Sequence, residues 1–263
     1  MAQEGFPQEI IDAIIDLLHD DPKALKSCCL ASKRFVPRTQ KYLFKNIVIK
    51  KSDMGWQWKK IFPDPVVSYP SAYTHSLVVH NMDAINTGDG KEGGWIWSFT
   101  NVVQLKVCEL DHRQLTEHIS LSPLHTLSSV KSLHLSDCCI LPMDFFKFIC
   151  SFPVLEDLDI KKCQWNVKDV NVDGWSDFIE ASTQQPLRGT LTIQGIQLKI
   201  IVCMLLALKT GLHFKKIEWK VDGPGECGVM VPLVEACSNT LESICIATIS
   251  RGEPFILCQW FGF

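Results

Sequence analysis

The stretch Leu127–Pro142, LSSVKSLHLSDCCILP, sets Val130, Leu133, Leu135 and Cys138 at spacings of three, two and three, and the spacing recurs. Leu155, Leu158, Ile160 and Cys163 repeat it, as do Val102, Leu105, Val107 and Leu110, with Leu in place of Cys. Degenerate copies follow at Leu77–Val79, Leu191–Ile193, Ile217–Trp219 and Ile244–Ile246. The anchors Leu77, Leu105, Leu133, Leu158, Leu191, Ile217 and Ile244 are 28, 28, 25, 33, 26 and 27 residues apart, the longest step holding an insertion at 165–175. One such unit cannot bury its apolar face alone, so the copies must stack. Leu133-His134-Leu135 alternates with period two, which turns the leucines inward and His134 outward on a short strand. Helix-like segments lie between the strands at Met143–Cys150, Trp175–Ala181, Gln197–Lys209 and Val229–Ser238. Each carries an apolar stripe, such as Phe145, Phe146, Phe148 and Ile149, to cover the strand layer. The expected fold class is α/β, with a parallel sheet on one face and helices on the other over residues 76–263.

The pattern L-x-x-L-x-L-x-x-C resembles the leucine-rich repeat family, whose period is about 20–29 residues. In stacked strands of this kind the inward positions are consumed by the core, and the alternate positions remain to meet a partner. Those expected to bind a target are Lys106, His134, Asp157, Asp159, Lys161, Lys216 and Glu218, flanked by Gln104, Ser132, Thr192, Gln194 and Lys220. A polar face of mixed charge suits a folded or charged protein segment better than a small molecule, which wants a mostly apolar pocket.

Other chemistries leave little trace. Gly223–Gly228, GPGECG, matches G-x-G-x-x-G literally, but Pro224 removes an amide donor, and Ala247–Thr248 stand where a ribose-binding acid should end the next strand. Gly88–Gly94, GDGKEGG, lacks the G-K-[ST] ending of a phosphate loop. There is no nucleophile elbow, H-E-x-x-H or paired-carboxylate motif, so no catalytic residue and no cofactor is expected. The chain has 12 cysteines but no C-x-x-C, and His134 with Cys138 reads as an outward His and a turn Cys rather than a metal pair. Adjacent cysteines and no secretory signal point to reduced thiols in the cytoplasm or nucleus. A net charge of −3 gives no electrostatic reason to expect nucleic acid. The longest clean apolar run, Ile200–Leu208, is too short for a bilayer, which needs about 20 helical residues.

Residues 6–49 stand outside the repeat. Pro7 suits the first helical position and Glu9 complements the dipole there. Ile10, Ile14, Leu17 and Leu18 then form the expected apolar face, broadened by Ile11 and Ile15. Asp21-Pro22 ends this helix and caps the next, whose stripe is Leu25, Cys28, Cys29 and Leu30. A third short helix around Tyr42-Leu43-Phe44 leads into a strand at Ile47–Ile49. So much apolar surface exceeds what a module of this size can bury by itself, so a partner or the rest of the chain must cover some of it.

Phe6-Pro7-Gln8-Glu9-Ile10-Ile11, the acid-Pro break, and Leu30-Ala31-Ser32-Lys33-Arg34-Phe35 together resemble the F-box family over residues 5–48. Phe35 stands where many members carry Trp, and Leu43-Phe44 replaces a common Leu-Trp. Trp58, Phe62 and Pro63 before the strand at Leu77 look like fungal F-box proteins of mushroom-type genomes. The resemblance implies an F-box module at 1–48, a connector with a first strand and short helix at 49–75, and a target-binding repeat region at 76–263. It implies a non-catalytic substrate-recognition subunit of an SCF-type cullin–RING ubiquitin ligase, docking on the Skp adaptor through Pro7, Ile10, Ile14, Leu25, Leu30 and Phe35. A plain interaction scaffold without a cullin, and an enzyme with a Cys or Asp site, stay open. The apolar end EPFILCQWFGF is expected to dock as a cap or to serve as a contact.

Overall fold

Leu77, Leu105, Leu133, Leu158, Leu191, Ile217 and Ile244 stand on one line, each the register partner of the next, across a nine-stranded sheet. The computed structural model of the chain describes residues 6–50, 54, 57, 60–61, 69–80, 99–111, 127–165, 186–195, 197–208, 211–221, 228–250 and 253–259. The strands of the sheet are β1 (Asn46–Ile49), β2 (Ser76–His80), β3 (Gln104–Cys108), β4 (Ser132–Ser136), β6 (Asp157–Lys161), β8 (Thr190–Gln194), β9 (Lys216–Val221), β10 (Ser243–Ser250) and β11 (Glu253–Gln259). They lie side by side in that sequence order, and all neighbours run parallel except the antiparallel pair β10–β11. Two short strands, β5 (Cys139–Ile140) and β7 (Gln164–Trp165), form a second parallel pair just past the ends of β4 and β6.

Ile47 of β1 is the register partner of Leu77, so the line of inward anchors begins one strand earlier than the repeat spacing indicates, and β1 spans the junction at 48/49. The inner anchors are essentially fully buried, whereas Ile47 and Ile244, at the two ends of the line, each retain 8% exposure. Helices α5 (Pro142–Cys150) and α6 (Leu198–Leu206) fall on expected segments, as does α7 (Val231–Cys237), in which Pro232 occupies the tolerated first turn. Phe145, Phe148 and Ile149 of α5, Ile201 and Leu205 of α6, and Leu233 of α7 share one buried cluster with the inward strand residues. The fold is therefore α/β, a large parallel sheet whose apolar face is covered by helices. The segment at Trp175–Ala181, Trp58, Phe62, Pro63, the glycine loop at 88–94 and residues 223–227 lie outside the described residues.

Two backbone devices repeat from strand to strand. At the strand entrances one carbonyl accepts two successive amides of the next copy: Lys45 O from His75 and Ser76, His75 O from Val103 and Gln104, Val103 O from Lys131 and Ser132, Lys131 O from Glu156 and Asp157. At the exits the residue after the strand turns to positive φ: Glu109 (58°), Asp137 (55°), Lys162 (52°) and Gly195 (142°). The turn at the first three brings Leu110, Cys138 and Cys163 back into the core, which explains the fourth position of the spacing.

At the N-terminus, α1 (Gln8–Leu17), α2 (Pro22–Ala31) and α3 (Val36–Leu43) form a three-helix module. Asp21 caps α2 by accepting from Lys23 N and Ala24 N, both at 3.0 Å. The module has its own small core of Ile11, Ile15 and Leu25, against which Leu18, Phe35, Tyr42 and Leu43 pack. The next element, α4 (Tyr69–Ala72), is followed by Thr74, whose hydroxyl donates to Phe44 O at 2.9 Å and ties the module's end to the start of the sheet. No described helix is long and apolar enough to cross a membrane.

Candidate functional site

The inner face of α1 is set by Ile11 and Ile15, not by Ile10 and Ile14. The α1–α3 tie accounts for this choice. Asp16 binds the Arg38 guanidinium in bidentate fashion, Nε at 2.6 Å and Nη2 at 2.5 Å, and accepts from the Tyr42 hydroxyl at 2.7 Å. With Asp16 turned toward α3, Ile15 and Ile11 point into the core, and Ile10, Ile14 and Leu17 are left outside at 46%, 53% and 84% exposure. At about 100° per residue these three share one stripe of the helix, and Phe6, 71% exposed, precedes Ile10 by four residues.

Of the residues expected to meet an adaptor, Pro7, Ile10, Ile14 and Leu30 are exposed. Phe35 is half-buried against the module core. Leu25 is a correction: it is 1% exposed and forms the floor of that core, so it shapes the surface without touching a partner. Leu17 and Phe6 were not among the expected contacts, although the i, i+4, i+7 spacing of Ile10, Ile14 and Leu17 carries the signal.

The outward positions of the sheet also line up. Lys106, His134, Asp159, Thr192 and Glu218 are successive register partners across β3, β4, β6, β8 and β9. They are not the loosely solvated row that alternation suggests. His134 Nδ1 lies 2.6 Å and Lys161 Nζ 2.7 Å from the same Asp159 oxygen, Oδ2, with all three side chains largely covered. Burial pushes the Asp159 carboxyl up, but the bonds from His134 and Lys161 outweigh it and hold the group below its ordinary value. Asp159 Oδ1 is buried without a hydrogen-bond partner among the described residues. Asp157 is turned back on the fold: its Oδ1 accepts from Thr190 N at 2.6 Å, where a Cβ on Gly189 would overlap the carboxylate. Lys216 pairs with Glu218 along β9 at 2.7 Å. Lys106, half-buried, makes no hydrogen bond or ion pair among the described residues, and Lys216, the one exposed residue of the seven expected target contacts, is paired with Glu218.

No family model matches the chain, and no curated protein matches it either. His134 and Cys138 do not share a site, since Cys138 is buried with its thiol donating to Ser136 O at 3.2 Å. Among the described residues no three His, Cys, Asp or Glu side chains converge as metal ligands. What the geometry offers is two surfaces, an apolar stripe on a small helical module and a polar sheet face knitted by ion pairs.

Proposed function

We propose that the chain is an F-box protein with leucine-rich-repeat-like stacking, acting as the non-catalytic substrate receptor of an SCF-type cullin–RING ubiquitin ligase in the cytoplasm or nucleus. The observation that carries this reading is the exposed stripe Phe6, Ile10, Ile14 and Leu17 beside Pro7, on a module whose buried core is only Ile11, Ile15 and Leu25. A monomer gains nothing by leaving four large apolar side chains of one short segment in water, whereas a docking helix needs them. The sequence resemblance supplies the occupant, the Skp adaptor, with cullin and RING subunits beyond it. The sheet face then holds a target protein, and the receptor acts by raising the target's effective concentration near a charged ubiquitin-conjugating enzyme.

Apolar anchors that become fully desolvated dominate such interfaces, often at about 2 kcal/mol or more each. The test is co-purification of the adaptor with the wild-type chain and with the Ile10→Ala/Leu17→Ala double variant. Both side chains lie outside the module core, so circular dichroism is expected to stay unchanged while adaptor capture falls at least tenfold. Undiminished capture by the variant would remove the F-box reading.

A further inference from the structure

Seven register pairs join β10 to β11, and in the second of them Cys245 stands opposite Cys258. No other register pair among the described strands sets cysteine against cysteine. Cys108 pairs with His80 and Ser136, and Cys139 with Gln164 and Asp111. Opposed residues of an antiparallel ladder share a face, and their Cα atoms are about 4.5 or 5.5 Å apart according to whether the pair exchanges hydrogen bonds. Both separations fall inside the range of about 4.4–6.8 Å that a disulfide spans. The backbone therefore holds the two positions ready for a bond, with no rearrangement of the sheet.

Cys245 is also placed to react. It is half-buried rather than sealed in the core, and the neighbouring strand β9 brings Lys216 and Glu218 alongside, in register with Ser243 and Cys245. Glu218 is taken up by Lys216 at 2.7 Å. That contact raises the Lys216 pKa most, and Cys245 adds a smaller raise, so the thiol lies within the field of the ammonium. A cation so near favours the thiolate, the form that attacks peroxides and disulfides. Cys138 and Cys163, next to one another just before β5 and β7, differ in access. At 1% and 2% exposure they are closed to an oxidant unless the core opens.

The position of the pair gives the bond a consequence. β11 is the last strand of the sheet and is joined to β10 alone, so one covalent link decides whether it can peel away. We infer that Cys245 and Cys258 form a reversible disulfide that locks β11 onto β10 when the chain meets a peroxide, making the end of the sheet a redox-controlled clasp. The Cys245 thiolate attacks one peroxide oxygen, the O–O bond breaks, and the hydroxide released takes up a proton and leaves as water. The Cys258 sulfur then attacks the resulting sulfenic sulfur. The S–S bond forms as the S–O bond breaks, and a second water departs with the Cys258 proton. Two thiols are oxidised and one peroxide is reduced to water. A dithiol reverses the change by exchange through a mixed disulfide, as fits a transient bond in a reducing compartment. The inference does not rest on the ligase reading, because it uses the end of the sheet and no partner.

The test treats the reduced, desalted full chain with hydrogen peroxide, blocks the remaining thiols, and maps linked peptides by mass spectrometry without reduction. A Cys245–Cys258 link is expected to form before any other, within one chain, with the loss of two hydrogens. The link closes a short loop, so Tm is expected to rise by about 5 °C and to return on adding dithiothreitol. Cys245→Ser and Cys258→Ser are expected to keep the Tm of the reduced wild type and to show no rise with peroxide, whereas Cys138→Ser keeps the rise. A Cys138–Cys163 link forming first would overturn the proposal, as would links between chains alone, oxidation without any disulfide, or a peroxide-induced rise that persists in Cys258→Ser. The mapping in the wild-type chain decides the point even where a variant fails to fold.

Discussion

Asp16 is the residue on which the small helical module turns. It reaches Arg38 and Tyr42, 22 and 26 positions along the chain, and so fixes which side of α1 faces inward. Hydrogen bonds from Arg38 and then Tyr42 hold its carboxyl at about 2, below the ordinary value of 3.8. A carboxylate whose pKa is depressed in the folded state stabilises that state above its unfolded value, near 4, and loses the contribution as pH falls through 2. The tie should therefore survive mild acid. In a side-chain carboxyl titration followed by NMR, Asp16 is expected to titrate near 2 in the wild-type chain and to move up toward 3.8 in Arg38→Gln. A titration near 3.8 in both proteins would mean that the ion pair does not hold α1 against α3. None of this was legible from α1 alone. Five large apolar residues in ten positions leave two plausible inner faces, and only a partner on α3 selects Ile11 and Ile15 over Ile10 and Ile14.

At the scale of the strand and its exit turn, the sequence was far more informative. Leucines at alternate positions, repeated every 25–33 residues, specify both the inward face and the register, because a slip of one residue would turn every leucine outward. Leu133 and Leu158 are indeed buried register partners. The outward row was legible as a row, but not in its commitments: Asp157 is engaged by Thr190, 33 positions on, and Asp159 by His134, 25 back. The exit turns reveal where strain resides. Lys162 sits at φ 52°, a region that costs a side-chain-bearing residue about 1–2 kcal/mol, while Gly195 at φ 142° has Lys162 Cα and N only 3.3 Å from where a Cβ would stand. Gly195→Ala is thus expected to destabilise by about 2–3 kcal/mol, and Lys162→Gly to be neutral or stabilising by up to about 1 kcal/mol, since relief of strain offsets added chain entropy. Urea unfolding of the two variants measures both. Equal destabilisation by the two would show that the exit turns are not the repeating constraint.

For the whole molecule the problem is how a stack of parallel strands ends. Every interior strand is paired on both sides, and an open edge is a template for association. At the N-terminal edge β1 is short, only four residues, and is fed directly from the helical module whose Phe44 packs on the main core. At the other edge the chain reverses, and β11 pairs antiparallel with β10 in register from Ile244↔Gln259 to Ser250↔Glu253. The apolar character of this last segment suggested a cap or a contact, and its pairing with β10 makes it a strand of the sheet; composition alone could not distinguish an added strand from a docked tail. Because stability in a stacked array is nearly a sum of neighbouring interfaces, removing the end strand should loosen the molecule locally rather than unfold it. Deletion of residues 251–263 removes seven register pairs with β10. At about 0.5–1.5 kcal/mol net per backbone hydrogen bond, less the ordering entropy regained, a loss of roughly 3 kcal/mol is expected. For a chain of this size that corresponds to about 6–12 °C in Tm. Hydrogen exchange should lose protection in β10 and β9 first, with β2 to β4 unchanged. A truncated protein with wild-type Tm and unaltered exchange in β10 would show that β11 does not hold the end of the sheet.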